Sequence, residues 1–397
     1  MYEKMRITMS YSGGTYRGIQ LASAFHEKGI LERIFIPFYS QKWSNLTRIF
    51  GRGEDRQVVS VEKVETNLKV CILRKILHKT RGLRKVPKAR DRYRVGDMFD
   101  KWVSKQITDR NTDIIIAESH QALHTMRKAK ELGIVTFLDR TNSHIRIQER
   151  IDSDELKRLG MKPWHDNRDI ERGLDEYEEA DFIIAPSAFV KNGFVKEGIS
   201  AEKILCVSPG IDLTYFDKIP KNGDVFRVIY CGGISHRKGI IYLLEAIASL
   251  KLKNSEVWLI GSVADGMMNL LAKYDGLYKI INFVANYELY KYFSQGSIFV
   301  LPSLEDSFGK VIVEAMACGL PAIVTTNTAA GDVVREGKDG FVVPVKNVKS
   351  LMEKILYLYN NSQICKDMGN SAMKRVREEF TLNAYAERMI SSLKKCV

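Results

Sequence analysis

Short apolar runs rich in β-branched residues alternate with helical patterns along all 397 residues of this chain, and this constrains the fold more than any other feature. In the first half Arg6–Met9, Arg33–Pro37, Asp113–Ala117, Val135–Asp139 and Phe182–Pro186 read as buried strands. In the second half Val225–Cys231, Val257–Ile260, Ile280–Phe283, Ile298–Pro302 and Ala322–Thr325 do so. Turn chemistry or a helical pattern follows each. Strands apolar on both faces, with helices between them, belong to parallel sheets covered on both sides. The expected class is therefore α/β, with doubly wound parallel sheets.

The pattern also starts twice. Arg6-Ile7 leads to Gly13-Gly14 and then Arg17-Gly18-Ile19, while Arg227-Val228 leads to Gly232-Gly233 and then Arg237-Lys238-Gly239-Ile240. Each is a strand, a glycine pair and a helix start. Glycine lets the backbone approach a phosphate closely, and a helix amino end supplies N–H groups without intrahelical partners. Taken alone, either pair also fits a plain strand-to-helix turn. Pro209-Gly210 is a turn signal before the second start. The expected organisation is a Rossmann-like domain over 1–208, a second over 209–378, and a closing helical segment over 379–397. That last segment is apolar at Tyr385, Met389, Ile390 and Leu393, so it must pack on something, and the expected surface is the first domain. Ligands in such sheets sit at the carboxyl ends of strands, so two facing domains predict one deep cleft.

Composition narrows the class further. Apolar residues at 45% and charged residues at 27% exclude a collagen-like or mostly disordered chain. No apolar run reaches the roughly 18 residues of a membrane-spanning helix, and no apolar stretch follows the charged start, so neither a span nor a signal peptide is expected. The six cysteines are scattered, which speaks against a disulfide framework and for a reducing, cytoplasmic setting. The seven histidines show no metal-ligand spacing, so no metal is expected.

The formal net charge is 61 − 48 = +13, and it is concentrated. Residues 69–94 hold eleven Lys and Arg against one acid, Asp91. Ile72, Leu73, Ile76 and Leu77 are interleaved at a spacing that puts them on one side of a helix. A basic amphipathic helix fits an anionic membrane surface or an anionic lipid-linked substrate. A solvated surface helix is the plainer reading. No helix-turn-helix, zinc-finger or RNA-binding pattern accompanies the patch, so nucleic acid is not expected as a partner.

The most informative stretch runs from Pro302 to Pro321, PSLEDSFGKVIVEAMACGLP. It opens at the end of a buried strand. Ser307 is the expected N-cap, Lys310–Cys318 the helix and Gly319 its stop. Glu314 lies inside a helix that is apolar on every side. A buried carboxylate is costly unless it is hydrogen-bonded, and either ribose hydroxyls or a protein partner would serve. Asp306 precedes the helix, and the N–H groups of Phe308, Gly309, Lys310 and Val311 are placed for a diphosphate. An acid for a sugar, a phosphate cradle and an acid for a ribose together make the inventory of a nucleotide-sugar.

This segment resembles the signature of the retaining glycosyltransferases of family 4, which have the GT-B fold: a carboxylate, seven residues, then Glu, inside Ser-x-x-Glu-x-Phe-Gly-x-x-x-x-Glu-Ala-Met-Ala-x-Gly-x-Pro. The likeness extends to Ala180-Asp181 through Pro186-Ser187 with Phe189-Val190, to Val207–Asp212 with Phe216, to Arg237-Lys238-Gly239, and to Gly337–Pro344. It is weakest from about Gln41 to Arg110. Two departures stand out. The first carboxylate is Asp306, where the family has Glu, with Glu305 beside it. Gly232-Gly233 also occupy the place where the family usually has an Arg.

The resemblance implies two Rossmann-like domains facing across a cleft, and transfer of a sugar from a UDP- or GDP-type donor without a cofactor. Glu314 would bind the ribose and Asp306 the transferred sugar. Gly309, Lys310, Lys238 and Arg237 would hold the diphosphate, completed by Gly13 and Gly14. Val284 would meet the base through its backbone. The leaving diphosphate would take the acceptor's proton. Asp139 or His144 would stand where the family often keeps a His facing the donor sugar, with His120 a further candidate. Otherwise Asp139 caps a helix and His144 is a surface residue. The acceptor expected is a lipid-linked or cell-envelope glycan at the inner face of the membrane, as in polysaccharide biosynthesis. A GT-B epimerase or phosphorylase, or an inactive polyanion- or membrane-binding module, are the alternatives.

Overall fold

A computed structural model describes residues 5–12, 16–39, 42, 59–84, 88–108, 111–163 and 167–397. Two fully parallel sheets account for its strands. The first comprises β1 (Ile7–Ser10), β2 (Leu31–Ile36), β3 (Val64–Thr66), β4 (Ile114–Glu118), β5 (Val135–Asp139), β6 (Phe182–Ala185) and β7 (Ile204–Cys206), in the order β3-β2-β1-β4-β5-β6-β7. The second comprises β8 (Phe226–Cys231), β9 (Ser255–Ile260), β10 (Lys279–Ile281), β11 (Ile298–Leu301), β12 (Ala322–Thr325) and β13 (Gly340–Val343), in the order β10-β9-β8-β11-β12-β13.

In both sheets the chain winds outward in one direction, then returns to the first strand and winds the other way. The reversal falls between β1 and β4, where Ile7 faces Ile114, and between β8 and β11, where Val228 faces Ile298. A crevice opens above the carboxyl ends at such a reversal. The chain therefore has two, one per lobe, facing each other.

The strands form where they do because most of their residues are apolar and the central strands are buried on both faces, as at Ile114, Ile115 and Ile116 or Phe299, Val300 and Leu301. Each large apolar side chain removed from water stabilises the fold by about 1.5–3 kcal/mol. The closing helix Leu382–Leu393 buries Tyr385, Met389, Ile390 and Leu393 in the core of the first lobe, together with Leu21, Phe25 and Val207. The chain thus crosses back after the second lobe is complete.

Three local expectations need correction. The strand expected over Ile280–Phe283 is Lys279–Ile281, and Phe283 is 83% exposed in the loop beyond it. Ser307 does not cap the helix Lys310–Ala317. The cap position is Gly309, at φ 71°, and no side chain caps the helix. In the basic helix Leu68–Arg84 the four apolar residues do not share one environment. Leu77 is buried and Leu73 packs on the same core, while Ile72 and Ile76 are 48% and 53% exposed. Adjacent apolar residues on a helix sit about 100° apart, so a pair such as Ile76-Leu77 straddles the edge of the buried face.

Candidate active site

A cavity of about 390 Å³ lies at the reversal in the second sheet. Its floor comes from Cys231 and Gly232-Gly233 after β8, and from Leu301 at the end of β11. Lys238, Asp306 and the helix start Phe308–Val311 form its second-lobe wall, and Thr141 and Pro186 reach it from the first lobe.

Short-range sequence explains how each group is held. The turn His236–Lys238 ends at Gly239, at φ +65°, where a Cβ would stand 2.0 Å from the Pro302 carbonyl oxygen. Only glycine allows that approach, and it brings the Lys238 turn against the end of β11. Lys238 forms an ion pair with Asp306 through Nζ and Oδ2. The Phe308 N–H donates to Asp306 Oδ1 at 3.3 Å. The Tyr230 hydroxyl donates to the Gly233 carbonyl at 2.8 Å and steadies the glycine loop. A cation, an uncapped helix amino end and backbone glycines converge here, which is the arrangement that binds a diphosphate.

The two neighbouring carboxylates part company. Glu305 is buried and turned to the other lobe: Ser143 Oγ donates to its Oε1 at 2.8 Å, and Arg237 Nη1 lies 3.3 Å from its Oε2. Asp306 lines the cavity and Glu305 does not. Glu314 lies one turn into the helix Lys310–Ala317, is buried, and is not among the residues lining the cavity. It accepts from Asn286 Nδ2 at 3.0 Å, and burial raises its pKa above the ordinary carboxylate value.

Across the crevice, hydrogen bonds from both sides join the lobes. Ser187 Oγ donates to the Ser307 carbonyl at 2.6 Å, and the Ser307 hydroxyl donates to the Thr141 carbonyl. His236 Nε2 lies 2.6 Å from Asp152 Oδ1. Buried Glu155 accepts from the Tyr242 hydroxyl at 3.0 Å and pairs with Lys346 at 2.9 Å.

Other residues named from the sequence lie elsewhere. Gly13 and Gly14 fall outside the described residues. Val284 is half-buried against the second-lobe core and is not among the residues lining the cavity. Asp139 is fully buried and accepts from the Tyr11 hydroxyl at 2.6 Å. His144 caps the helix Ile145–Arg158, its Nδ1 accepting from the Arg146 N–H at 3.3 Å, and packs on the rings of Tyr177 and Phe194. Burial lowers its pKa to about 4, so the ring is neutral at neutral pH.

A second cavity of about 530 Å³ opens at the other reversal, between β1 and β4, and it meets the first at Thr141. Ser12, Arg74, His78, Glu118, His120 and Gln121 are among its lining. Of these the sequence pointed only to His120. His120 has φ 70°, with Nδ1 3.2 Å from Asp169 and Nε2 against Arg140. Its loop is held from below by Glu176, which accepts from the His120 and Ala122 N–H groups at 2.6 and 2.9 Å. Glu176 is buried beside Arg172, and burial raises its pKa to about 7. The available signal was positional: Glu118 ends a strand at the reversal point. Among the described residues no group of three or more His, Cys, Asp or Glu side chains is placed to hold a metal ion.

The family model for glycosyl transferases group 1 matches residues 212–375. The capsular polysaccharide biosynthesis glycosyltransferase CapM of Staphylococcus aureus is 28% identical over 232 residues, covering 53% of this chain and 60% of that protein. The chain spans about three fifths of the length of the curated relatives it matches. Among solved structures, the sucrose-phosphate synthase of Thermosynechococcus elongatus superposes with a TM-score of 0.74 at 16% identity, covering 99% of each chain. Anabaena HepE in complex with UDP and glucose gives 0.68 at 15% identity, covering 98% of this chain and all of that one. These likenesses carry the fold across both lobes, and the family match falls on the lobe that holds Lys238, Asp306 and Glu314. Residues 212–375 thus match the glycosyl transferases group 1 model, within a chain of GT-B fold.

Proposed function

We propose that the protein is a retaining glycosyltransferase that moves a sugar from a nucleoside-diphosphate sugar to a lipid-linked or cell-envelope glycan. The observation that carries this reading is the cavity where Lys238, Gly232-Gly233 and the amino end of Lys310–Ala317 converge beside Asp306. Lys238 and the helix N–H groups hold the diphosphate and stabilise the charge that grows on it as the sugar's C1–O bond breaks. Asp306 binds hydroxyls of the transferred sugar, and Glu314 binds the ribose. The acceptor oxygen attacks C1 on the face the leaving group vacates. Its proton passes to the departing phosphate oxygen, so no protein base is required. HepE, whose structure holds UDP and glucose, supports a UDP-type donor.

A thermal-shift series against UDP-, GDP-, ADP- and dTDP-sugars tests the donor. The matching donor at about 100 times its Kd stabilises the fold by about 2.7 kcal/mol. Glu314→Ala should weaken that donor about 10- to 100-fold, because a charge-assisted hydrogen bond contributes about 1.5–3 kcal/mol. If no sugar nucleotide shifts the melt, the reading fails.

The acceptor belongs in the second cavity, which opens onto the first at Thr141. One helix supports a lipid-linked acceptor: Leu68–Arg84 lends Arg74, Leu77 and His78 to that cavity and presents Ile72 and Ile76 outward among the exposed Lys69, Lys75 and Lys79. No helix among the described residues is long and apolar enough to cross a membrane, so contact with lipid would be peripheral. At low salt, changing Lys69, Lys75 and Lys79 to Gln should cut binding to phosphatidylglycerol vesicles about 100-fold, at about 1 kcal/mol per cation. Unchanged binding would remove the membrane from the proposal.

A further inference from the structure

The second lobe has another cavity, of about 680 Å³, at the opposite end of its sheet from the donor cavity. It lies at the amino ends of β8 and β11, lined by Phe226 and Ser297, and shares no lining residue with the donor cavity. Four lysines reach it from three separate segments. Lys218 and Lys221 come from the stretch leading into β8, Lys253 from the turn before β9, and Lys366 from the helix Ser362–Glu379. Among the described residues, Asp224 is the only acid in the lining.

Among the described residues, none of the four lysines is within salt-bridge distance of a carboxylate. Lys221 is half-buried. Its ammonium donates to the Val225 carbonyl and the Ser297 hydroxyl, both at 2.7 Å, and burial lowers its pKa. Lys221, Lys218 and Lys366 all pull down the pKa of the buried Cys365 thiol, which burial drives up to about 11, so the three cations act on one spot. Cations that converge without anionic partners repel one another, and a concave wall focuses their field. Phe226 and Tyr359, 5.2 Å apart between ring centroids, give the wall an apolar stretch, and Asn254, Ser294, Ser297 and Ser362 add neutral polar groups. The volume lies within the range of small-molecule sites.

We propose that this cavity binds a small phosphate-bearing ligand, with Lys218, Lys221, Lys253 and Lys366 as its anion-holding groups. The helix Lys310–Ala317 runs between the two sites. Its amino end lines the donor cavity, and Cys318-Gly319-Leu320 at its carboxyl end line this one. A ligand here therefore lies about 12 Å along the helix from the donor's phosphates, at 1.5 Å per residue.

Calorimetric titration of the full chain with inorganic tripolyphosphate at low salt tests the proposal. A set of variants separates the two sites: Lys218→Gln with Lys221→Gln and Lys366→Gln, Lys238→Gln in the donor cavity, and Lys69→Gln with Lys75→Gln and Lys79→Gln on the basic helix. The first set should weaken binding at least about tenfold, a loss of about 1.4 kcal/mol. Without the probe it should still unfold in one cooperative transition, lowered by a few degrees because Lys221 gives up its hydrogen bonds to Val225 and Ser297. Lys238→Gln should remove only the share of binding that belongs to the donor cavity, and both it and the helix variant should keep the share that the first set loses. The proposal is overturned by any of three results: no binding to the parent at millimolar probe, equal binding to the first set, or loss of all binding in Lys238→Gln alone. Failure here leaves the donor reading intact, because that reading rests on sugar-nucleotide binding at the other end of the sheet.

Discussion

Lys238→Ala should reduce sugar transfer about 100- to 1,000-fold at saturating donor, corresponding to about 2.7–4 kcal/mol of lost transition-state stabilisation. Gly232-Gly233 offer no side-chain charge where related enzymes usually place an arginine. Among the described residues lining the cavity, only Lys238 and Lys310 are cationic. The negative charge on a departing diphosphate grows as the C1–O bond breaks, so a fixed cation beside it helps the transition state more than the ground state. The loss should therefore fall mainly on kcat. Lys238→Ala also leaves Asp306 without its ammonium partner, for which a stability loss of about 1–3 kcal/mol is expected. A melt that stays cooperative, together with collapsed kcat, separates catalysis from folding. Lys238→Arg keeps the charge but changes its shape and reach, and should recover part of the rate. Undiminished turnover in Lys238→Ala would refute the assigned role.

Gly239→Ala is expected to have the largest structural effect of any single methyl added at the site. The residue sits at φ +65°, which costs a non-glycine residue roughly 1–2 kcal/mol. The added Cβ would also stand 2.0 Å from the Pro302 carbonyl oxygen. A backbone oxygen cannot rotate aside as a flexible side chain can, so the Lys238 turn and the end of β11 must separate. Together these effects should cost about 3–5 kcal/mol, in the range of severe single substitutions. Urea unfolding measures this directly, and donor affinity should fall in parallel because Lys238 moves with the turn. Gly331→Ala is the control: a Cβ there meets nothing within 4 Å, so it should change stability by less than about 1 kcal/mol. If Gly239→Ala unfolds at the parent's urea midpoint, the tight approach is not what holds the turn.

Both predictions concern features that the sequence located to within a residue or two but could not orient. The alternation of apolar strands and helices is a local pattern, and burial on both faces leaves it visible in composition and spacing alone. That is why Val135–Asp139 and Ala322–Thr325 were legible to the residue. The short edge strands Val64–Thr66 and Ile204–Cys206 were not, because three residues carry too little periodicity to rise above a loop. The helix Lys310–Ala317, its buried Glu314 and its glycine stop were equally plain, since each follows from neighbours within one or two turns.

Other features depended on contacts between residues far apart in the chain. Glu305 and Asp306 are adjacent and chemically alike, yet one reaches Ser143 in the other lobe and the other lines the cavity with Lys238. Ser307 stands where the sequence places a cap, but its hydroxyl is used at Thr141, 166 residues away. His144 follows a strand much as a site residue would, but Tyr177 and Phe194 enclose it. The local pattern of the chain determined the sheets, the glycine turns and the signature helix, because short-range periodicity and burial suffice to set them. Which side chains face the crevice, and where the second and third cavities open, was decided only when the lobes packed, because those directions depend on partners that sequence order does not bring together.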